Sequence, residues 1–391
     1  MGPASATGRR ALVVGGGIAG SATAWWLHHT GWQVTLIDAN ESAPSGGYVL
    51  DLDAVAQKIL RRMGVSDVID SVSTPSPATT FRLTKGARPL QMTFSGGTSR
   101  LAHRARLIEK LLAHVPSGVE TRLGCRLSSL EHRSDDVVAR FDDGTRGIFD
   151  LVVGADGVNS TVRSLVFSPR EASLYRNGLS HVWATVDHAM EGPNAVVVGR
   201  HRTVVFAYPL PAVGATQIVA ALPSPDAPRN DPRAPAVAVA RALRSIGGEL
   251  NPIAFGMLET NDLLLTRFTQ VRTTHWSTRR VVLVGDAAHC IDPLSGLGAH
   301  GALLGAATLA QKLREHGQDE PAAFAEYEQT VRPFVESRQE VTARAVEYIT
   351  HPTLRDRSTN ALGSVAAGLR AAPALLTTGG RERLAGIAAF G

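Results

Sequence analysis

Three short segments of the chain carry residues whose types and spacing suit phosphate and hydroxyl chemistry. The first is Gly15-Gly16-Gly17-Ile18-Ala19-Gly20. Glycines in this pattern suit a dinucleotide pyrophosphate. Gly15 permits a tight turn, Gly17 lets backbone approach the phosphates, and Gly20 lets a helix pack closely on a strand. A helix opening at Ile18 and Ala19 would present free N–H groups and a partial positive charge to the anion. Asp38 closes the next apolar run, where a carboxylate would bind ribose hydroxyls. By itself this motif does not separate FAD from NAD.

The second segment, Asp150-Leu151-Val152-Val153-Gly154-Ala155-Asp156-Gly157, is an apolar run that ends in an acid and a glycine. The third, Arg280-Val281-Val282-Leu283-Val284-Gly285-Asp286, ends in the same way and continues through Pro293-Leu294-Ser295-Gly296-Leu297-Gly298 into small residues. Ligands of open α/β sheets bind beyond the carboxyl ends of the strands, so all three segments can face one crevice.

Those segments need elements to hold them. Periodicity and punctuation predict a strand over Arg10–Val14, a helix over Ile18–Thr30 stopped by Gly31, and a strand over Gln33–Asp38. A helix is expected over Asp53–Met63 with Asp53 as N-cap, and another over His103–His114. Thr79–Phe94 reads as two strands around Lys85-Gly86-Ala87, and Asp142-Asp143-Gly144 as a hairpin turn. Between Leu174 and Thr274 several alternating strands occur with no phosphate motif, which makes this stretch the substrate side. After Arg280 come a buried strand and then helices to the end.

Composition narrows the class. At 391 residues, two joined subdomains are expected. The net charge of +5 comes almost entirely from dispersed arginines, without the basic, aromatic-interleaved block of a nucleic-acid binder. No apolar run is long enough to span a membrane, and the first ten residues lack the apolar core of a secretion signal. Two cysteines, Cys125 and Cys290, make no disulfide framework, and no zinc spacing occurs. A cytoplasmic protein with no metal site is expected.

Taken in order, the three segments resemble the class A, para-hydroxybenzoate hydroxylase-like FAD monooxygenases, over about residues 10–345. The middle and last match that family's DG and GD motifs, and the short members, including tetracycline-inactivating enzymes, are the most similar. The resemblance implies a Rossmann-like, glutathione reductase-type FAD domain with an inserted β-sheet substrate domain and a helical C-terminus. The expected parts are FAD-binding over 1–75, 101–172 and 276–345, a substrate-domain hairpin over 76–100, a substrate sheet over 173–275, and a tail over 346–391.

Carried over by the resemblance, Gly15, Gly17 and Gly20 cradle the FAD pyrophosphate, and Asp38, with Ala39 after it, meets the adenosine ribose. Arg104 holds FAD phosphates and ribose. Asp156 helps hold the cofactor and influences NAD(P)H access, while Gly285 and Asp286 meet the ribityl or pyrophosphate region. Gly46 and Gly47 lie beside the isoalloxazine. Pro293, Gly296, Leu297 and Gly298 pack on the ring, with a helix N-terminus aimed at its pyrimidine edge to stabilise the anionic reduced form. Departures from the family pattern are His300 for Asn, Gly305 for Asp, Leu297 for Gln, Ala39 for Arg and Ser45 for Arg. They fall at positions that, by the resemblance, bear on flavin movement and NAD(P)H recognition.

The implied reaction takes hydride from NADPH or NADH, adds O2 at flavin C4a, and passes the distal oxygen of the hydroperoxide to a small aromatic or polyketide-like substrate. Hydroxylation and epoxidation both remain open. Candidates for the pocket are Tyr48, Phe94, Trp183, Phe206 and Tyr208, each also readable as core. His300 is readable as a flavin-edge group or as a satisfied polar residue at a helix start. No general base stands out. Alternatives are an FAD oxidase or dehydrogenase on the same scaffold and a non-catalytic flavoprotein; monomer and homodimer both remain open.

Overall fold

The computed structural model describes residues 8–350 apart from 44–47, 83–89, 93–97, 193–194, 201, 225–230, 232 and 267–269. Phe94, Gly46, Gly47 and the tail beyond residue 350 therefore lie outside the described residues.

The apolar runs of the three motifs become neighbouring strands. A six-stranded sheet has the order Ser277–Thr278, Val281–Leu283, Leu151–Gly154, Arg10–Val14, Gln33–Asp38, Glu120–Leu123. All are parallel except the first, with Leu12 opposite Val152 on one side and Thr35 on the other. Parallel strands are covered on both faces, which is why these runs are continuously apolar. Ala11, Leu12, Val13, Leu151, Val152, Val153, Val281, Val282 and Leu283 are wholly buried. The chain leaves Arg10–Val14 toward Gln33–Asp38 on one side, while Leu151–Gly154 lies on the other. That reversal of strand order opens a crevice at the carboxyl ends.

Helices close this sheet. Ile18–His29 begins and ends almost where the sequence predicts, and Gly298–His316 packs on it and buries small residues such as Ala302, Ala306 and Ala310. Glu320–Thr350 packs against the latter helix. Ala54–Arg62 starts at Asp53, whose carboxylate accepts the Ala56 amide at 2.9 Å, as expected of an N-cap. Arg104–Ala113 fills the other expected helix.

The second unit is a seven-stranded sheet ordered Leu263–Thr266, Leu179–Val186, Ala215–Pro223, Thr203–Leu210, Ala195–Arg200, Thr79–Arg82, Leu90–Met92. One face, through Val182, Ala184, Val205, Ala207, Ile218 and Ala220, forms a core with helices Ala234–Arg244 and Leu250–Glu259. Neither helix was legible in the sequence. The first is apolar on nearly every side and follows a proline-rich stretch, and the second contains Pro252 and Gly256. The expected β-sheet unit is present, with two helices packed on one of its faces. Its other face, by alternation, carries Trp183, Phe206 and Tyr208.

Candidate functional site

The three motifs meet through their backbones. The Gly15 amide donates to Ile37 O at 2.7 Å, the Ala155 amide to Val14 O at 2.8 Å, and the Val284 amide to Gly154 O at 2.9 Å. The glycine turn, the DG turn and the GD turn therefore form one continuous rim. Gly15 sits at φ 107°, and a Cβ there would stand 2.5 Å from the Ala155 carbonyl oxygen. A Cβ on Gly20 would overlap the Gly15 carbonyl oxygen. Gly17 differs, because a Cβ there would meet no protein atom within 4 Å, and the same holds at Gly296 and Gly298. At Gly17 and Gly298 the fold alone does not require glycine, whereas a large flat or phosphorylated ligand lying on the backbone would; Gly296 takes φ 65°, which by itself favours glycine.

Three acids mark the rim. Asp38 Oδ2 accepts the Gly16 amide at 2.6 Å and Oδ1 accepts the Asn40 amide at 2.8 Å, so the carboxylate braces the glycine loop as well as ending its strand. Ala39 is half-buried beside it. Asp156 accepts from Ser160 Oγ and from the amides of Thr161 and Val162, so it braces the first turn of helix Thr161–Val166, whose N-cap is Ser160. Burial pushes its carboxyl up while those bonds pull it back. Asp286 follows Gly285, which takes φ 63° where a Cβ would press on Ala19. Asp286 is exposed to the crevice yet deep enough that desolvation raises its carboxyl, opposed by the charge of Arg104 and by Cys290.

Arg104 is half-buried at the start of its helix rather than on a solvated face. Its amide donates to Tyr48 O at 3.0 Å and its guanidinium lies 5.5 Å from the Tyr48 ring centroid. Tyr48 in turn stacks on Trp183 at 4.9 Å, so the segment next to Arg104 meets the seven-stranded sheet at this pair. Phe206 and Tyr208 lie parallel at 6.4 Å. The register places Trp183 and Phe206 in one row, each opposite Val219. The structure thus gathers Tyr48, Trp183, Phe206 and Tyr208 around one apolar face.

The Pro293–Gly298 segment forms a single 3₁₀ turn, Pro293–Ser295, followed by Gly296 at φ 65° and by Leu297, whose amide donates to Ser295 Oγ at 3.1 Å. Helix Gly298–His316 then presents its free amides past two open glycines. His300 is buried in its first turn, with Nδ1 2.6 Å from Asp53 Oδ2 and its ring stacked on Phe334 at 4.3 Å. Of its two readings, the structure favours the satisfied polar residue. His289 is also buried, and burial lowers it to about 4, which keeps it neutral at ordinary pH. Cys290 is held protonated by burial and by Asp286 and Asp292.

One joining residue escaped the sequence reading. Arg163 is buried, and its guanidinium donates to Ala287 O at 2.9 Å and Val158 O at 2.6 Å, tying the DG segment to the GD segment. Arginine in a short amphipathic helix gives no sequence signal for such a clamp. Among the described residues no cluster of His, Cys, Asp or Glu could hold a metal, and no helix is long and apolar enough to cross a membrane.

The open backbone at Gly17, Gly296 and Gly298, with Asp38, Arg104 and Asp286 spaced along the crevice, fits a long dinucleotide with a flat ring at one end. The family comparison agrees: residues 9–342 match the FAD binding domain model, and the chain belongs to that family of FAD-binding proteins. It is 31% identical over 339 residues to an uncharacterized protein of Mycobacterium tuberculosis, covering 84% of this chain and 91% of that one. A flavin-dependent monooxygenase from an unknown prokaryotic organism is 28% identical over 348 residues, covering 85% and 88%. Among solved structures, tetracycline destructase Tet(55) aligns with a TM-score of 0.74 at 25% identity, over 93% of this chain and 97% of that one. Klebsiella pneumoniae HpxO, solved with FAD and uric acid, aligns with a TM-score of 0.74 at 20% identity over the same shares, a likeness of fold.

Proposed function

We infer that the protein is an FAD-dependent monooxygenase, an oxidoreductase that inserts one atom of O2 into a small aromatic or polyketide-like molecule using NADPH or NADH. The single observation that carries this is the meeting of Tyr48 with Trp183, which sets an apolar, aromatic face directly against the FAD rim. Bound FAD supplies the hydride-accepting and oxygen-activating chemistry. Gly15, Gly17 and Gly20 would hold its pyrophosphate, Asp38 and Arg104 its adenosine end, and Asp286 its ribityl chain. The N-terminus of Gly298–His316 would face the ring's pyrimidine edge, where a positive helix end favours the anionic reduced form. The aromatic face of the seven-stranded sheet would cover the ring side and keep water from the reacting atoms.

The test is consumption of NADPH and of NADH by the FAD-loaded protein under 18O2, with a panel of phenols, heteroaromatics and tetracycline. Substrate-stimulated consumption with one heavy oxygen in the product supports the reading. Substrate oxidised without label would point to the oxidase or dehydrogenase alternative. No hydride uptake with any compound would leave a non-catalytic flavoprotein.

A further inference from the structure

The seven-stranded sheet and the Pro293–Gly298 segment meet at a buried polar point to which the proposed chemistry gives no role. Strand Leu179–Val186 sends Val182, Ala184 and Val186 into the core shared with helices Ala234–Arg244 and Leu250–Glu259. By alternation His181 and Trp183 project to the opposite, aromatic face. Trp183 stacks there on Tyr48, and the His181 ring lies 6.0 Å from that of Trp183. Against His181 stands Asp292, the residue just before Pro293, with its Oδ1 3.5 Å from His181 Nε2. Both residues are wholly buried.

Asp292 begins the segment. Its backbone carbonyl accepts the Ser295 amide at 2.9 Å, closing the 3₁₀ turn Pro293–Ser295. Its Oδ2 accepts Asn177 Nδ2 at 2.8 Å, from the stretch that leads into strand Leu179–Val186. Asn177 Oδ1 accepts the Leu179 amide at 3.1 Å, so that stretch is itself held. The two oxygens of one carboxylate thus face two residues at the same end of one strand, Asn177 and His181. At 3.5 Å the His181 contact is about 0.5 Å longer than a formed N–H···O bond. Closing that gap seats the first residue of the turn on the sheet.

We propose that His181 is a positioning residue: it donates to Asp292 and, with Asn177 on the other oxygen, sets where the Pro293–Gly298 segment stands relative to the aromatic face. His181 acts through Asp292 and touches neither cofactor nor substrate in this assignment. A segment with glycine at 296 and 298 has a soft backbone, so an anchor at its first residue decides its place. Accuracy matters there, because a misplacement of about 1 Å in a reacting site costs on the order of a hundredfold in rate. The proposal rests on the reading above for placing that segment at the flavin ring.

The experiment uses the full chain, with FAD affinity read by flavin titration and ring placement by visible circular dichroism of the bound flavin. His181→Leu is expected to weaken FAD about fivefold, the worth of one hydrogen bond, and to shift the dichroism. His181→Gln keeps an N–H donor at similar reach and should restore both signals to near the parent. A merely structural histidine would lower the melting temperature in His181→Leu and leave both flavin signals in place. With Asp292→Ala already present, His181→Leu should cost no further FAD affinity, because its effect passes through that carboxylate. Unchanged flavin signals in His181→Leu would overturn the proposal, as would an equal loss with Asp292 already replaced. Where His181→Leu fails to fold, Asn177→Ala decides: weaker FAD binding with shifted dichroism is expected, and no change overturns the assignment. Unmoved flavin signals beside a labelled product in the 18O2 assay sink the His181 role and leave the monooxygenase reading standing. Moved signals with no labelled product do the reverse.

Discussion

Nδ1 of His300 lies 2.6 Å from Oδ2 of Asp53, joining the first turn of Gly298–His316 to the N-cap of a helix 247 positions earlier. Both groups are buried. Burial alone would raise Asp53, but the hydrogen bond and charge of His300, with the amides of Ala56 and Val55, hold it below the ordinary carboxylate range. The pair therefore fixes the N-terminal end of Gly298–His316.

His300→Leu removes that partner and leaves Asp53 buried with only its capping bonds. A loss of about 3 kcal/mol of stability is expected, in the range for breaking a buried pair. Because the folded value of Asp53 is depressed, its contribution is present above the unfolded carboxylate value and lost as the pH falls through the folded one. Thermal melts of the unmodified protein should show this loss at acid pH, and Asp53→Asn should remove that component.

Gly17→Ala and Gly20→Ala separate ligand crowding from fold crowding. The Gly20 methyl would overlap the Gly15 carbonyl oxygen, so the FAD-free variant should melt well below the parent. The Gly17 methyl meets no protein atom. That variant should keep the melting temperature of the FAD-free parent to within a few degrees and lose at least tenfold in FAD affinity, measured by flavin titration.

Asp51→Asn should stabilise the FAD-free protein above pH 6 and do nothing below pH 4. The folded carboxyl titrates at about 6 against an ordinary 3.8, so the folded state binds the proton more tightly. Stability from this group is complete below the ordinary value and lost as the pH rises through 6. The gain at pH 7.5 is expected at about 1–3 kcal/mol, read from paired denaturant curves.

Arg163→Met should loosen the DG segment from the GD segment by removing both guanidinium bonds. Two carbonyl groups lose charge-assisted donors, which costs about 2–4 kcal/mol in total. Weaker FAD retention should accompany the lower melting temperature, whereas the Arg163→Lys variant should restore part of each.

Cys290 should not carry the flavin covalently. Burial and the neighbouring acids Asp286 and Asp292 keep its thiol protonated, and the thiolate is the reactive form. Acid precipitation should leave all yellow colour in the supernatant. Flavin remaining with the pellet would contradict this.

Most of the cofactor half could be read from the chain. Its signals are local: glycines with fixed conformational duties, apolar runs that end in Gly-Asp or Asp-Gly, and a capping acid at Asp53. The strand Arg10–Val14, the helix that follows it and the hairpin at Asp142-Asp143-Gly144 obey short-range rules and stand where those rules put them. The helices Ala234–Arg244 and Leu250–Glu259 were not legible, because their helical state depends on packing against the second sheet.

The sequence by itself determined that three strand ends carry a dinucleotide rim, because backbone geometry and phosphate contact constrain residue type within a few positions. Only the tertiary structure decided which distant side chains complete that rim. Asp53 with His300, Arg163 with Ala287, and Tyr48 with Trp183 each join segments far apart in the chain. A long-range contact places no periodic demand on the residues around it, so Asp53, which caps a helix, and Asp51, two residues before it, look alike in sequence. Burial and the presence or absence of a partner distinguish them.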